Sequence, residues 1–510
     1  MSLSQAKASR PKQQPFSRSR VIGLLLGPTL LLITLLLPLS LSWPQQALLA
    51  IILMTITYWI TQPIPIPVTS ILGLTLTVVL NVAPARTVFG AFSSPTLFLL
   101  IGGFLITLSM VKYGLGQRLA LGVLSLPGIG QSTTRIIAAF GLLAALLSGV
   151  IDNGAVASML VPIAIGLVQA LSPDIYKRCP DLPDHRPLRF ATALMLITAY
   201  GATVGALMTP FGDASNLVGR EFILSEFGLL ISVGTWMSLA LPIVAVLFVL
   251  LVTLVILMNR PEIGRLPNAQ QHLAAHRNKL GRMSQGEINT AIAFGLAVFL
   301  WLLPAIVAVI FGHGSAPHLF LAQRLPAPVV AILVACSLFL MPVSRDKGFT
   351  LRWRDVSAMD WGPILLVGSA LALGNLMTQT GLAEVFGNAL ASHVGNVGPL
   401  AVSFIASATA ILFSEISTNL VSITVLVPTL PPVAEAGGGD PLMVALIATF
   451  SAIYGFMLPI STSANVIVFG SGQVPVWRMI KTGFLVDLSG ILVIVTGVTL
   501  LMQLVPVAAF

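Results

Sequence analysis

The chain has 510 residues, of which 56% are hydrophobic and only 8% are charged, against about 25% charged residues in a soluble domain. This balance excludes an ordinary soluble protein and predicts a multi-pass membrane protein. The net charge of +9 does not indicate nucleic-acid binding, because the Lys and Arg residues cluster in short loops between apolar runs. The two cysteines, Cys179 and Cys336, exclude a disulfide framework.

The predicted elements begin with a polar, basic segment at 1–20, which predicts a short cytoplasmic tail. The apolar run 21–41 is too long for the core of a signal peptide and predicts the first membrane span. Further spans are predicted near 46–61, 64–82, 95–111, 190–220, 228–258, 288–312, 327–343 and 363–382, around 459–465, and at 483–504. The fold class is therefore an all-α polytopic membrane protein with about eleven transmembrane helices.

Two other apolar segments are interrupted by polar residues at 148–154 and 414–420. The runs that flank the second interruption are shorter than the ~20 apolar residues that a full span requires. Broken backbone is tolerated at membrane depth where it lines a cavity inside the protein. These segments therefore predict two re-entrant hairpins, at 136–171 and 398–436. An asparagine, Asn153 or Asn419, occupies the same place in each hairpin.

The distribution of basic residues predicts the topology. With eleven spans and two hairpins, all of the 26 Lys and Arg residues except Arg86, Arg220 and Arg324 fall on one side. This asymmetry predicts a cytoplasmic N-terminus and an external C-terminus in a plasma membrane, most simply a bacterial inner membrane. The hairpins then enter from opposite faces, which makes the two halves inverted repeats, an architecture of alternating-access transporters.

The predicted organisation has six parts. They are a tail (1–20), N-terminal spans (21–84), a first inverted repeat (85–258), a cytoplasmic linker (259–287), linking spans (288–343) and a second inverted repeat (350–510).

Four acidic residues lie within apolar segments: Asp152, Asp213, Glu415 and Asp487. A charge at the bilayer centre costs at least ~2.5 kcal/mol, so each of these residues is a functional hypothesis. Asp152 and Asp213 are expected to bind a cation, to titrate, or only to cap half-helices. Glu415 is expected either to brace its hairpin or to meet an ion. Asp487 is expected to be a buried structural residue that makes hydrogen bonds.

Two predicted spans are also broken, at 209–216 and 459–465. At such breaks, carbonyl ends can bind a cation, whereas the N-terminal ends of half-helices present N–H groups to an anion. Small hydroxyl and amide residues surround the interruptions: Ser148, Asn153, Ser417, Thr418, Asn419, Ser461, Thr462 and Ser463.

With these motifs, the chain resembles the divalent anion:sodium symporter family, carriers of dicarboxylates, citrate or sulfate, over about residues 85–505. The family has a Ser-Asn-Thr motif in each hairpin and a Thr-Pro-Pro-Asn-like break in the following span. The counterparts here are Asp152–Gly154, Thr418–Leu420, Asp213–Asn216 and Thr462–Asn465. The motif threonines are replaced by Gly154 and Leu420, and a leucine side chain cannot hydrogen-bond an anion.

The resemblance implies a homodimer with a scaffold domain and a transport domain that moves like an elevator. It implies that cations, with sodium as the metal, bind at Ser148, Asp152, Asn153, Gly212 and the adjacent Asp213, and at Ser414, Ser417, Asn419 and Ser461. It also implies that the anion contacts Asn153, Gly154, Asn419, Leu420, Thr462 and Ser463.

The leading hypothesis is a secondary active carrier of dicarboxylate or sulfate-class anions, coupled to sodium or protons, with no cofactor and no nucleic-acid partner. The alternative is a cation/proton antiporter that uses Asp152 and Asp213. An enzyme is not expected, because no Ser or Cys has a histidine at membrane depth. A primary pump is not expected either, because the chain has no G-x-x-x-x-G-K-[ST] loop.

Overall fold

The computed structural model describes residues 18–126, 128–129, 131–179, 187–264, 278, 280–312, 314–344, 348–385, 389 and 397–504. Most of the predicted tail and much of the predicted linker lie outside the described residues. The α-helices are Arg18–Leu36, Trp43–Thr61, Ile66–Val79, Ala85–Gly90, Pro95–Tyr113, Leu115–Leu124, Thr133–Ser148, Asn153–Arg178, Arg189–Ala206, Ala214–Phe227, Val233–Met258, Gln285–Phe311, Ala316–Arg324, Ala327–Leu338, Gly362–Gln379, Pro399–Ile416, Asn419–Ala436, Pro441–Ser451, Ser463–Gly470 and Val476–Leu504.

Short elements complete the chain. There are 3-10 turns at Ala91–Ser93 and Trp353–Ala358, and a small antiparallel pair of strands at Pro342–Ser344 and Gly348–Phe349. These elements, and the short helices Ala85–Gly90 and Leu115–Leu124, were not expected from the sequence. The strands, the 3-10 turns and the six-residue helix Ala85–Gly90 are too short to leave a strong periodic signal. The ten-residue helix Leu115–Leu124 is amphipathic, so its pattern was present in the sequence and was missed.

Proline and glycine set many helix ends. Pro95, Pro363, Pro399 and Pro441 each lie in the first turn of a helix, where their missing N–H group needs no partner. Gly114 ends the helix Pro95–Tyr113 with φ 70°, a left-handed conformation that favours glycine. The starts of the spans could therefore be read closely from the sequence.

The all-α polytopic fold is confirmed. Within the described residues, nine helices are long and apolar enough to cross a membrane, or ten if Ala316–Arg324 and Ala327–Leu338, which meet at 59°, form one span. Two predicted spans contain shorter helices, with 14 residues in Ile66–Val79 and 11 in Pro441–Ser451. Three of the nine are arms of the predicted hairpins: Asn153–Arg178, Pro399–Ile416 and Asn419–Ala436. The two arms of the second hairpin have 18 residues each, which is longer than the apolar runs that the sequence showed there but still below ~20.

Helix packing divides the fold into two bundles. The hairpin bundle contains Thr133–Ser148, Asn153–Arg178, Arg189–Ala206, Ala214–Phe227, Val233–Met258, Pro399–Ile416, Asn419–Ala436, Pro441–Ser451, Ser463–Gly470 and Val476–Leu504. The frame bundle contains the helices before residue 114, those between 285 and 338, and Gly362–Gln379. The bundles meet chiefly where Ala214–Phe227 and Asn419–Ala436 pack on Gly362–Gln379.

The core of the hairpin bundle lies where the two broken spans cross. Every residue from Phe190 to Ala206 is buried, so this helix is surrounded by protein. Within it, the Tyr200 hydroxyl donates to the Phe456 carbonyl at 2.8 Å, and the two rings lie 4.7 Å apart. These contacts join the helix that precedes the first break to the segment of the second break.

Candidate functional site

Four helices begin at the centre of the hairpin bundle, and each has a side-chain N-cap. Asp152 Oδ1 accepts from the N–H groups of Gly154 and Ala155 at 3.0 and 3.3 Å, and Asp213 Oδ1 accepts from Ser215 at 2.8 Å. In the second half, the N-caps are hydroxyl groups. Thr418 accepts from Val421 N at 3.5 Å, and Thr462 accepts from Asn465 N at 3.0 Å. Capping by Asp152 and Asp213, one of the expected roles, is thus present.

The two helix breaks are closed in the same way. Asn216 Nδ2 donates to the carbonyl oxygens of Ala206 and Thr209 at 2.8 and 3.0 Å. Asn465 Nδ2 donates to the carbonyls 10 and 7 residues before it, at 3.4 and 3.2 Å. The sequence identified both asparagines as motif positions but did not indicate that they satisfy the carbonyls freed by the breaks.

The hairpin asparagines converge on one carboxylate. Asp213 Oδ2 accepts from Asn153 Nδ2 at 3.2 Å and from Asn419 Nδ2 at 3.3 Å. The amide oxygens are held from behind: Ser463 donates to Asn153 Oδ1 at 2.9 Å, and Ser414 donates to Asn419 Oδ1 at 3.1 Å. The structure therefore brings five of the predicted site residues into one hydrogen-bonded chain across both halves.

The first predicted cation site is built from oxygen atoms. Ser148 is fully buried, and its Oγ has no hydrogen-bond partner in the described part of the chain. A Cβ added to Gly212 would lie 2.6 Å from the Ser148 carbonyl oxygen, so only glycine fits this close beside that oxygen. No described Lys or Arg lies within 4.0 Å of the Asp152 or Asp213 carboxylate. An unpartnered hydroxyl, a carbonyl and an unpaired carboxylate are ligands that suit a hard cation such as sodium.

The second predicted cation site is only partly assembled. Ser461 Oγ donates to the Gly455 carbonyl at 3.1 Å, and a Cβ added to Gly455 would lie 3.2 Å from Ser414 Oγ. The Ser417 hydroxyl instead bonds within its own hairpin, to the Phe413 carbonyl at 2.8 Å and the Ser422 hydroxyl at 2.7 Å. Ser414, Ser461 and Asn419 therefore cluster, whereas the Ser417 side chain is committed elsewhere.

The predicted anion contacts form a surface with few hydroxyl groups. Gly154 packs directly on Ser463, since an added Cβ would lie 2.8 Å from the Ser463 Cβ. Leu420 is buried, and the Thr462 hydroxyl caps its own helix. The side-chain donors among these residues are therefore chiefly the amides of Asn153 and Asn419, and both donate to Asp213.

Glu415 braces the second hairpin, which was one of its two expected roles. Its Oε1 and Oε2 each accept a backbone N–H group, from Met457 and Leu458, at 2.8 Å. The residue is 2% exposed, and Asp487 on the last helix is buried facing it. Glu415 thus ties the hairpin to the second helix break.

A small cavity borders the first half of the site. It has a volume of about 20 Å³, and Asp152, Phe211 and Trp301 are among its lining residues. The rings of Phe211 and Trp301 stack with centroids 4.1 Å apart and join the two bundles. Because roughly 10–15 Å³ holds one water molecule, this side of the site is closed to an organic anion. No sequence pattern indicated this aromatic pair, apart from the position of Phe211 in the break.

Comparison with known proteins agrees with this architecture. A family model described as the sodium:sulfate symporter transmembrane region matches residues 18–506. The sodium-dependent dicarboxylate transporter SdcS of Staphylococcus saprophyticus is 29% identical over 493 residues, which cover 96% of this chain and 92% of that protein. SdcS of Staphylococcus aureus strain USA300 is 29% identical over 504 residues, or 97% and 93% of the two chains. The solved structure of the Alcanivorax borkumensis YdaH transporter is similar in fold, with a TM-score of 0.52 and 13% identity over 82% of this chain and 88% of that chain.

Proposed function

The chain belongs to the sodium:sulfate symporter family and is a membrane transporter, not an enzyme; we propose that it is a secondary active carrier that moves a small carboxylate or sulfate anion together with sodium. The dicarboxylates for which the SdcS relatives are named are the first substrates to test. Residues Asn153, Gly154, Asn419, Leu420, Thr462 and Ser463 would line the anion site.

The observation that carries this proposal is the convergence of four helix N-termini on one buried point. The N-terminal ends of helices that begin at Asn153, Ala214, Asn419 and Ser463 carry partial positive charge and favour an anion. The side-chain amides of Asn153 and Asn419 add donors aimed at that point from opposite hairpins.

Sodium coupling is supported by the charges at the first cation site. Asp152 and Asp213 place carboxylates beside an anion site without a basic partner among the described residues. A carboxylate in such surroundings is costly unless a cation or a proton neutralises it. Ser148 and the carbonyls near Gly212 would hold a cation that offsets this charge and favours anion entry.

We infer that the hairpin bundle moves like an elevator against the frame bundle, because the helices pack into two groups that meet chiefly at Gly362–Gln379. Glu221 in the hairpin bundle accepts hydrogen bonds from Ser94 at 3.1 Å and Thr96 at 2.7 Å in the frame bundle. These contacts must break if one bundle slides past the other. With Cys179 and Cys336 replaced by serine, a Thr96→Cys/Glu221→Cys protein should lose uptake when a short bis-methanethiosulfonate reagent joins the pair through two disulfide bonds. It should regain uptake when a reducing agent cleaves those disulfides.

Two single-cysteine proteins, each treated with the same reagent, serve as controls for that experiment. Full uptake by the cross-linked double-cysteine protein would contradict the elevator motion.

The homodimer and the cytoplasmic N-terminus also remain proposals. Light scattering from the detergent-solubilised protein would test the dimer, and protease access to the tail in oriented vesicles would test the orientation.

The proposed function is tested by uptake into proteoliposomes. Labelled succinate, lactate and sulfate would be offered under separately imposed sodium and proton gradients, with Asp152→Asn in parallel. We expect sodium-driven uptake of at least one anion, with a higher sodium requirement in the variant. Asp440→Asn is the matched control, because Asp440 caps Pro441–Ser451 in the same manner and is exposed.

The same experiment separates the cation/proton antiporter. The lack of basic partners for Asp152 and Asp213 also suits that activity. Asp152-dependent proton movement on addition of sodium, with no uptake of any anion, would overturn the carrier and support the antiporter.

A further inference from the structure

The two strongest donors of the anion site already hold a carboxylate that belongs to the protein. Asp213 Oδ2 lies 3.2 Å from Asn153 Nδ2 and 3.3 Å from Asn419 Nδ2, and Asp213 is 8% exposed. The other carboxyl oxygen, Oδ1, caps the helix that begins at Ala214. Both oxygens of this side chain are therefore fixed, and one of them occupies the point where the amides converge.

The equivalent position in the second half is neutral. Thr462 caps its half-helix there just as Asp213 caps the first, and both precede by three residues the asparagine that closes the break. A threonine thus satisfies the same structural requirement. Helix capping alone therefore does not require a carboxylate at position 213.

The asparagine amides cannot easily turn toward a different partner. The hydroxyls of Ser463 and Ser414 hold their Oδ1 atoms, which fixes the direction of both Nδ2 groups. A substrate carboxylate that reached these donors would have to displace Asp213. Nearby, Gly154 and the buried Leu420 offer no side-chain hydroxyl as a substitute.

We propose that Asp213 acts as a resident carboxylate that fills one anion position between the hairpins, so that the transported substrate brings a single carboxylate. The site would then prefer small monocarboxylates to dicarboxylates. This inference rests on the proposed function, and it names the substrate class of the same site. Asp213 is a specificity-determining residue in this arrangement, because its charge and its occupancy of the two amides both oppose a second substrate carboxylate.

The test compares lactate with succinate in the full-length protein. The wild type and Asp213→Thr would be reconstituted, and sodium-driven uptake of each labelled anion would be measured. We expect the wild type to favour lactate, and the threonine variant to raise the succinate-to-lactate ratio at least tenfold. The ratio is insensitive to the amount of folded protein, so a loss of yield does not imitate the result.

Asp440→Thr is the matched control, since it removes another aspartate cap outside the site and should leave the ratio unchanged. The shift in melting temperature that each anion causes in sodium buffer provides a second readout. A wild type that prefers succinate, with no change of ratio in Asp213→Thr, would overturn the inference and leave the carrier function standing. No uptake and no stabilisation by either anion or by sulfate would overturn both.

Discussion

Asn216 and Asn465 hold equivalent positions in the two halves of the chain, and each donates to the carbonyls 10 and 7 residues before it. The breaks in the two spans are therefore stable turns with satisfied backbone, not stretches of strained helix. Repetition of this geometry places the half-helices that follow each break in equivalent positions at the site.

Replacement of either asparagine by alanine is expected to destabilise the protein by about 1–3 kcal/mol, because buried carbonyls would lose their donors. Thermal unfolding of the purified protein in detergent measures this effect. Asn375→Ala, at an exposed position in Gly362–Gln379, is the control. If the site variants melted like the control, the asparagines would not be what holds the breaks together.

Ser148→Ala should separate sodium binding from stability. The Ser148 hydroxyl is buried without a partner among the described residues, so its removal relieves an unfavourable burial. We expect an unchanged or slightly higher melting temperature without sodium, and a smaller increase when sodium is added.

The control for that experiment is Ser172→Ala, which removes an exposed hydroxyl from the second arm of the same hairpin. An undiminished sodium-induced shift in Ser148→Ala would remove Ser148 from the cation site.

Gly154→Ala should abolish uptake while leaving the protein folded. The added methyl group would lie 2.8 Å from the Ser463 Cβ and closer still to its hydroxyl, so the half-helix and the hairpin must separate. Gly166→Ala in the same helix has no atom within 4 Å of the new methyl group and should transport normally. Loss of activity in Gly166→Ala as well would point to a general sensitivity of this helix.

Glu415→Gln should lower the melting temperature and slow transport. A glutamine amide accepts only one of the N–H groups of Met457 and Leu458 and presents its own N–H to the other, at an expected cost of about 1–3 kcal/mol. Glu435→Gln changes an exposed glutamate of the same hairpin and should be neutral. Equal melting temperatures for the two variants would exclude a bracing role for Glu415.

Local patterns predicted much of the fold and the identity of the site residues. Apolar runs located the spans, and first-turn prolines such as Pro95 and Pro363 located their starts. Repeated Asn and Ser near the breaks indicated Asn153, Asn419 and Ser414, which the structure brings together. Such features are local, and the residues that cause them lie beside the element they define.

Contacts between distant segments could not be predicted in the same way. The bond from Asn419 to Asp213 joins residues that are 206 positions apart, and nothing near Asp213 indicates its partner. The direction of a side chain was equally hidden: Ser417 has the residue type of a cation ligand, yet its hydroxyl bonds within its own hairpin. The Phe211–Trp301 stack depends on how the bundles dock, which single-element patterns do not record.

Of the four helix caps at the candidate site, the two in the first half are carboxylates and the two in the second half are hydroxyls, and all four lie in the hairpin bundle. If that bundle moves across the bilayer, its fixed negative charge moves through the membrane's electric field. When one uncompensated charge crosses the whole field, its electrostatic free energy changes by about 2.3 kcal/mol per 100 mV. Membrane voltage would then set how fast the empty carrier returns, and a voltage step applied without substrate would produce a transient current. This current should be smaller in Asp152→Asn/Asp213→Asn, which removes two of the buried carboxylates of the bundle.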